Sequence, residues 1–447
     1  MILSTVARLL TASVLLSLTS FAAADDWPEW RGPRRDGVWR EDGIVATLPE
    51  KLPIKWRREI GSGYAGPAVA GGRVYVTDRV LKEGERNPDN PFDKSAVQGV
   101  ERVLCLDAET GKIAWFHEYP SRYEISYPAG PRATPTVDGD RVFTVGVMGH
   151  LHCLDASSGD VVWRRQYEMD FETTINTWGM SAAPLFDGER LIALVGGKKG
   201  AGVVAFEKTS GNELWRALDL EDPGYSPPEI IEAGGTRQLI VWTPKHVWSL
   251  APESGEVHWS VPFAVESALS VASPVYQSET RRLLVSSFYN GSVQLRLDES
   301  KPAAEVIWRG KSSSERTTDG LHALMCTPYV EDGFIYGVCS YGQLRCLDAA
   351  TGKRRWETLA ATGEGRWWNA FLVRHGEKTI ICNEQGDIIF ARLSSDGYEE
   401  LSRTKLIEPT NPIQRRMTVW SHPAFANRSV YARNDKEIIC ADLAAGK

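Results

Sequence analysis

No two of the seven cysteines in this 447-residue chain are neighbours, and no apolar run beyond residue 24 is long enough to span a bilayer. No stretch beyond residue 25 carries the three-to-four-residue apolar spacing of an amphipathic helix. These absences exclude a vicinal disulfide, a helical membrane span in the mature chain and a helix bundle. An excess of positive charge is also missing: the net charge is −7, and it becomes one unit more negative if Arg8 is removed with a signal peptide. Nucleic acid and anionic membrane are therefore not expected as partners.

What the chain has instead is self-similarity. Cys105-Leu-Asp-Ala-Glu-Thr-Gly-Lys-Ile-Ala-Trp115 recurs as Cys153 to Trp163 and as Cys346 to Trp356. Altered copies end at Trp215, Trp259 and Trp308, the last with Ala304 in the glycine position. A further copy ends at Leu401 after Gly397, and a truncated one runs from Cys440 to Gly446. A fixed period of this length marks a repeat architecture. Before each copy stands a proline, a Gly-Gly or Asp-Gly turn and an alternating β-branched and aromatic run, as in Pro135-Thr-Val-Asp-Gly-Asp-Arg-Val-Phe-Thr-Val145. That is a hairpin, and the repeat therefore reads as four antiparallel strands. Asp-Ala-x-Thr-Gly is the turn between the third and fourth, where aspartate accepts backbone N–H bonds and glycine supplies positive φ.

The last copy has three strands, and Leu52-Pro-Ile-Lys-Trp56 has a fourth-strand tryptophan with no strand before it. Joining them completes a blade and removes the open sheet edge. The expected fold is all-β, an eight-bladed β-propeller over residues 48–447, closed by an N-terminal strand. Residues 25–47, with Trp27, Trp30, Arg31, Arg34, Arg35 and Trp39, read as a latch lying against it. Residues 1–24 read as a signal peptide: Arg8, an apolar stretch, then Ala22-Ala-Ala24. The mature protein is expected to be periplasmic or secreted, with no lipid anchor, since no cysteine lies near the cleavage site. Four cysteines occupy one slot of four different blades, too far apart to bridge; Cys339 and Cys346 share a hairpin.

The Leu-Asp-Ala-x-Thr-Gly-x-x-x-Trp frame resembles the PQQ-type β-propeller repeat, shared by quinoprotein dehydrogenases and BamB-like outer-membrane assembly factors. The resemblance covers residues 48–447 and implies the fold, not one activity. It makes PQQ with Ca²⁺ the cofactor of an oxidoreductase reading. That reading lacks the adjacent cysteine pair of many alcohol-oxidising members, and the acidic and amide residues near inner-strand starts (Glu266, Asp319, Glu364 and Asn369) match no ligand motif. No catalytic residue and no cofactor is therefore assigned.

Loops joining fourth to next first strands are long on one face, where function concentrates. They hold Arg122, Tyr123, Tyr127 and Arg132, then Trp178, then Arg366, Trp367, Trp368, Asn369, Arg415, Arg416, Trp420 and His422. From these, Arg132, Trp178, Arg366, Trp368, Asn369, Trp420 and His422 are the candidate binding residues. Guanidinium and indole together suit a flat anion, a carbohydrate or an extended peptide. The same residues also fill a channel mouth and bond loop carbonyls. The favoured reading is a non-catalytic binding or assembly scaffold with a protein or peptide partner at the loop-rich face. A quinoprotein oxidoreductase and a carbohydrate-binding module are the alternatives. His150 and His152 share a strand face, but on a blade surface with no third ligand they do not make a metal site. The insertion between Leu81 and Val100 reads as a solvated loop.

Overall fold

A computed structural model describes residues 26–446; the expected signal peptide lies outside them. The described residues form eight four-stranded antiparallel sheets and one small hairpin, Asn411–Ile413 with Arg416–Thr418. Blade 1 contains Ala68–Ala70, Arg73–Leu81, Gly99–Asp107 and Ile113–Pro120, in that order from the channel outward. Blades 2 to 7 start at Thr136, Leu185, Glu229, Val275, Tyr329 and Ala370. Blade 8 takes three strands from the C-terminal end, and Ile54–Glu59 pairs as the fourth with Glu437–Asp442. Helix is confined to one turn, Tyr167–Phe171, and a short 3-10 segment, Glu266–Ala268.

Burial follows strand position. Third strands such as Val203–Glu207 are covered on both faces by neighbouring blades and read as near-continuous apolar runs. Fourth strands such as Ile113–Pro120 bury little besides their tryptophan. In blades 1, 2, 6 and 8 that tryptophan stands opposite the repeat cysteine: Trp115 to Cys105, Trp163 to Cys153, Trp356 to Cys346, Trp56 to Cys440. All seven cysteines are buried free thiols, Cys339 and Cys346 included.

The tryptophan acts on the next blade. Trp115 Nε1 donates to Ala156 O at 3.0 Å, Trp163 to Lys208 O at 2.9 Å and Trp56 to Ala108 O at 2.9 Å. Each indole lies flat over the glycine of that neighbour's Asp-Ala-x-Thr-Gly turn. Gly159 has φ +79°, and a Cβ there would sit 2.5 Å from the Trp115 ring. The turn is fixed from within: Asp107 Oδ1 accepts from Thr110 N at 2.9 Å and Thr110 Oγ1 at 2.8 Å. Blade 7 has no tryptophan, and its slot opposite Phe390 holds Ser402, one residue later than the expected Leu401. The N-terminal segment fills this junction: Leu48 N donates to Ser402 Oγ at 3.0 Å, and Val45 N to Leu443 O at 2.8 Å.

The rest of that segment crosses the end of the channel opposite the long loops. Trp27 pairs with Val69 of blade 1, Pro28 O accepts from Val137 N of blade 2, and Trp39 N donates to Arg374 O of blade 7. Arg35 is buried between Glu29 (2.6 Å) and Glu229 (3.2 Å), which ties the crossing to blade 4.

If indole over glycine is what joins the blades, Trp115→Ala and Gly159→Ala act on one contact. Each is expected to destabilise the chain, the tryptophan change by about 3–5 kcal/mol. In urea unfolding the double variant should lose less than the two losses added, with a coupling of about 1–3 kcal/mol. Additive losses would show that the two residues act separately.

Candidate binding site at the channel mouth

The channel holds a cavity of about 380 Å³ on the loop-rich side, within the range of small-ligand pockets. Its floor is Trp30, whose Nε1 donates to Ser273 Oγ at 2.9 Å and whose ring lies 5.1 Å from His422. The walls are aromatic because the residues entering the inner strands, and the loops above them, point to the axis: Tyr64, Tyr127, Trp178, Tyr225, Phe371 and Trp420 among them. The insertion after Leu81 is not merely solvated. Its Phe92 lines the cavity, 5.1 Å from the Tyr127 ring and 5.7 Å from Trp367, and Pro91 O accepts from Tyr127 N. Among the described residues no aspartate or glutamate lines this space.

The structure brings Arg132, Trp178, Arg366, Trp420 and His422 to this one cavity. Trp368 and Asn369 lie outside it: Trp368 is buried against Gly342 and Gly363, and Asn369 sits beneath the wall with Nδ2 unpartnered. Trp367, beside them in sequence, takes the wall position. Tyr123 is fully buried, its hydroxyl donating to Glu101 Oε1 at 2.7 Å, and Arg122 is exposed and paired with Glu124.

The two cavity arginines differ in compensation. Arg366 donates to Glu315 Oε2 from Nε (3.0 Å) and Nη2 (2.7 Å), and stacks 4.6 Å over the Trp367 ring. Arg132 forms no ion pair among the described residues. It donates to three loop carbonyls, Gly130 (2.8 Å), Ser126 (3.0 Å) and Tyr127 (2.6 Å), and burial holds its pKa below the ordinary value. Tyr127 Oη and Thr134 Oγ1, in residues of the same wall, have no partner.

Two carboxylates beneath the wall escaped the sequence reading. Glu384, fully buried, accepts from Trp420 Nε1 at 2.8 Å and Asn369 N at 3.1 Å, and pairs with Arg416. Burial pushes its carboxyl above the usual range, against those bonds. It stands in the second hairpin of blade 7, on the face already marked by long loops, just after the apolar run Ile380-Ile-Cys382 and Asn383. A charge there was the available signal. Glu315 had none, lying in a serine-rich loop.

His150 and His152 do not lie on an open blade surface. His152 is buried against Tyr119 (4.5 Å) and against His117 of blade 1 (5.2 Å), at the interface of blades 1 and 2. The described residues contain no metal-ligating group of three or more His, Cys, Asp or Glu. Burial, with His117, His150 and Arg164 beside it, lowers the His152 pKa to about 3, and burial lowers that of His422 to about 4. Unfolded imidazole titrates near pH 6.5. Between about 6.5 and 4 the unfolded chain therefore binds protons that these sites refuse, so their contribution to stability is lost as pH falls. Each such proton is worth ~1.4 kcal/mol per pH unit. His152→Phe should show a smaller drop in Tm from pH 7 to pH 5 than the parent; equal drops would contradict this.

Residues 99–358 and 300–447 match a family model described as the outer membrane protein assembly factor BamB. No curated protein matches the chain in sequence. Among solved structures, BamB from Moraxella catarrhalis is similar at 14% identity and a TM-score of 0.53, over 88% of this chain and 99% of that one. Quinohemoprotein alcohol dehydrogenase from Comamonas testosteroni is similar at 13% and 0.58, over 95% and 81%. The computationally designed Ika8 protein is similar at 9% and 0.51, over 90% and 100%. At these identities the likeness is one of fold.

Proposed function

We propose a binding function for this chain, which belongs to the family of the outer membrane protein assembly factor BamB: it is an exported, non-catalytic propeller that takes an apolar group of a protein or peptide partner into the cavity at its loop-rich face. One observation carries the reading. The cavity is walled by aromatic side chains and hydroxyls, and among the described residues no carboxylate faces it. Aromatic walls gain from burying a partner's apolar group, and indole and phenol edges give that contact direction. The donor set does not fit Ca²⁺, which takes six to eight oxygen ligands with carboxylates among them. The one imidazole in the wall, His422, is a poor general base, because burial lowers its pKa to about 4. No helix among the described residues is long and apolar enough to cross a membrane. Export rests on the N-terminal sequence.

The test is selection of displayed random peptides against residues 25–447, followed by binding to the parent, to Trp178→Ala and to Trp367→Ala. Selected peptides should bind the parent and lose about tenfold or more in affinity with either variant, the scale of an aromatic anchor. Failure to select any peptide, with saturable Ca²⁺-dependent binding of PQQ, would replace this reading with the oxidoreductase one. Saturable binding of a glycan alone would replace it with the carbohydrate one.

A further inference from the structure

Hydrogen bonds cross the seam between blades 1 and 2 at its turn end, Trp115 Nε1 to Ala156 O, and at its loop-rich end, Val147 N to Glu101 Oε1 (3.2 Å). Between them stands a group of ionisable side chains found at no equivalent place in the neighbouring repeats. His152 precedes the residue opposite the fourth-strand tryptophan, and in blades 1, 3 and 8 that position holds Leu104, Val204 and Ile439. Its ring packs on Tyr119 (4.5 Å) and His117 (5.2 Å) of Ile113–Pro120, and His150 lies 5.1 Å from the same tyrosine. Three imidazoles therefore share one seam. A ring nitrogen of each is buried without a partner (His117 Nε2, His150 Nδ1 and His152 Nδ1), as is Oγ1 of Thr144, opposite His152 on Arg141–Val145.

The charges around them favour the neutral form. Arg164, opposite His152 on Val161–Gln166, is a cation. Glu101 is the carboxylate that faces the group, and it favours a charged His150. Its oxygens, however, already accept from Tyr119 Oη, Tyr123 Oη, Ser121 Oγ and Val147 N, which fills a carboxylate's four sites, and it stands opposite Arg79 in the ladder. Glu118, next to His117, is exposed on the opposite face of its strand. Neutral imidazoles pack here as aromatic plates. Charged ones would repel one another and Arg164 with no acceptor to meet them.

We propose that this seam is an acid-sensitive joint: protonation of His117, His150 and His152 parts blade 1 from blade 2, while the apolar seam between blades 2 and 3 stays closed. The joint is independent of what the cavity binds. In the open joint the imidazoles titrate near pH 6.5. In the closed joint burial lowers the pKa of all three, that of His152 to about 3. Between these values the open form holds more protons, so the closed form loses ground as pH falls, by up to tenfold per pH unit for each imidazole.

Two repeat cysteines report on the two seams. Cys105 is a free thiol in one apolar cluster with Trp115, Val142 and Leu154, at the seam of blades 1 and 2. Cys153 is a free thiol in a cluster with Trp163, Leu191 and Phe206, at the seam of blades 2 and 3. The experiment labels folded residues 25–447 with a thiol reagent and reads the ratio of Cys105 to Cys153 labelling rates by peptide mass spectrometry at pH 7 and pH 5. A ratio at one pH cancels the reagent's own pH dependence. The ratio should rise roughly tenfold or more at pH 5. In His117→Gln with His152→Val, which restores the side chain type of blade 3, it should stay nearly level. A ratio unchanged between pH 7 and pH 5 in the parent chain would overturn the proposal, and that measurement needs no variant to fold. An equal rise in the double variant would overturn it too.

Discussion

Eight sheets of four strands, each strand short, would not hold a ring by their ladders alone, because the ladders run within blades and not between them. What crosses the seams is the indole laid over the next blade's turn glycine, with its N–H on that turn's carbonyl. The contact needs an apolar plate, a carbonyl left free by the Asp-Ala-x-Thr-Gly turn, and a residue without Cβ: the would-be Cβ of Gly111, Gly159 or Gly211 falls 2.5 Å from the indole above it. Sequence periodicity is the record of that requirement, repeated at one seam after another.

Three seams are built differently: at Gly397 of blade 7 an added Cβ would meet nothing, although Trp356 Nε1 still donates to Ser394 O at 2.8 Å. Trp259 turns its Nε1 to Gln238 of its own blade at 2.8 Å, and Ala304, which has the glycine's spacing in blade 5, lies in the fourth strand opposite Leu297 and not in a turn. Between blades 7 and 8 the tryptophan is gone and residues 43–50 are laid in, with Thr404 Oγ1 donating to Glu50 O at 2.7 Å. The same N-terminal segment that repairs this seam goes on to floor the channel. Ring closure and the blind end of the cavity are thus two consequences of one stretch of chain.

The fold was readable because its signal is redundant: Asp-x-x-Thr-Gly and tryptophan at fixed spacing recur, and each copy constrains the others. The cavity was readable in part. Arg132, Trp178, Arg366, Trp420 and His422 could be named because they precede inner strands or sit in the long loops, and the ring brings such positions to the axis. Trp367 and Trp368 could not be separated, since one residue of shift in an irregular loop decides which indole faces the channel. Here Trp367 adopts φ +65° and Trp368 turns under the wall. Phe92 and Trp30 reach the site from an insertion and from the N-terminal segment, and His117 meets His152 across a seam. None of these meetings leaves a local pattern. Glu384 and Glu315 act through burial and partner choice, which spacing does not encode.

Function then rests on one face. If the aromatic mouth is where this propeller meets its partner, a photoreactive side chain placed at Phe92, on the rim, should crosslink to that partner in cells that produce the protein. The same group at Val257, exposed on the outer strand of blade 4, should not. Crosslinking confined to the outer-strand position would contradict the account and move the interaction from the channel mouth to the blade edges.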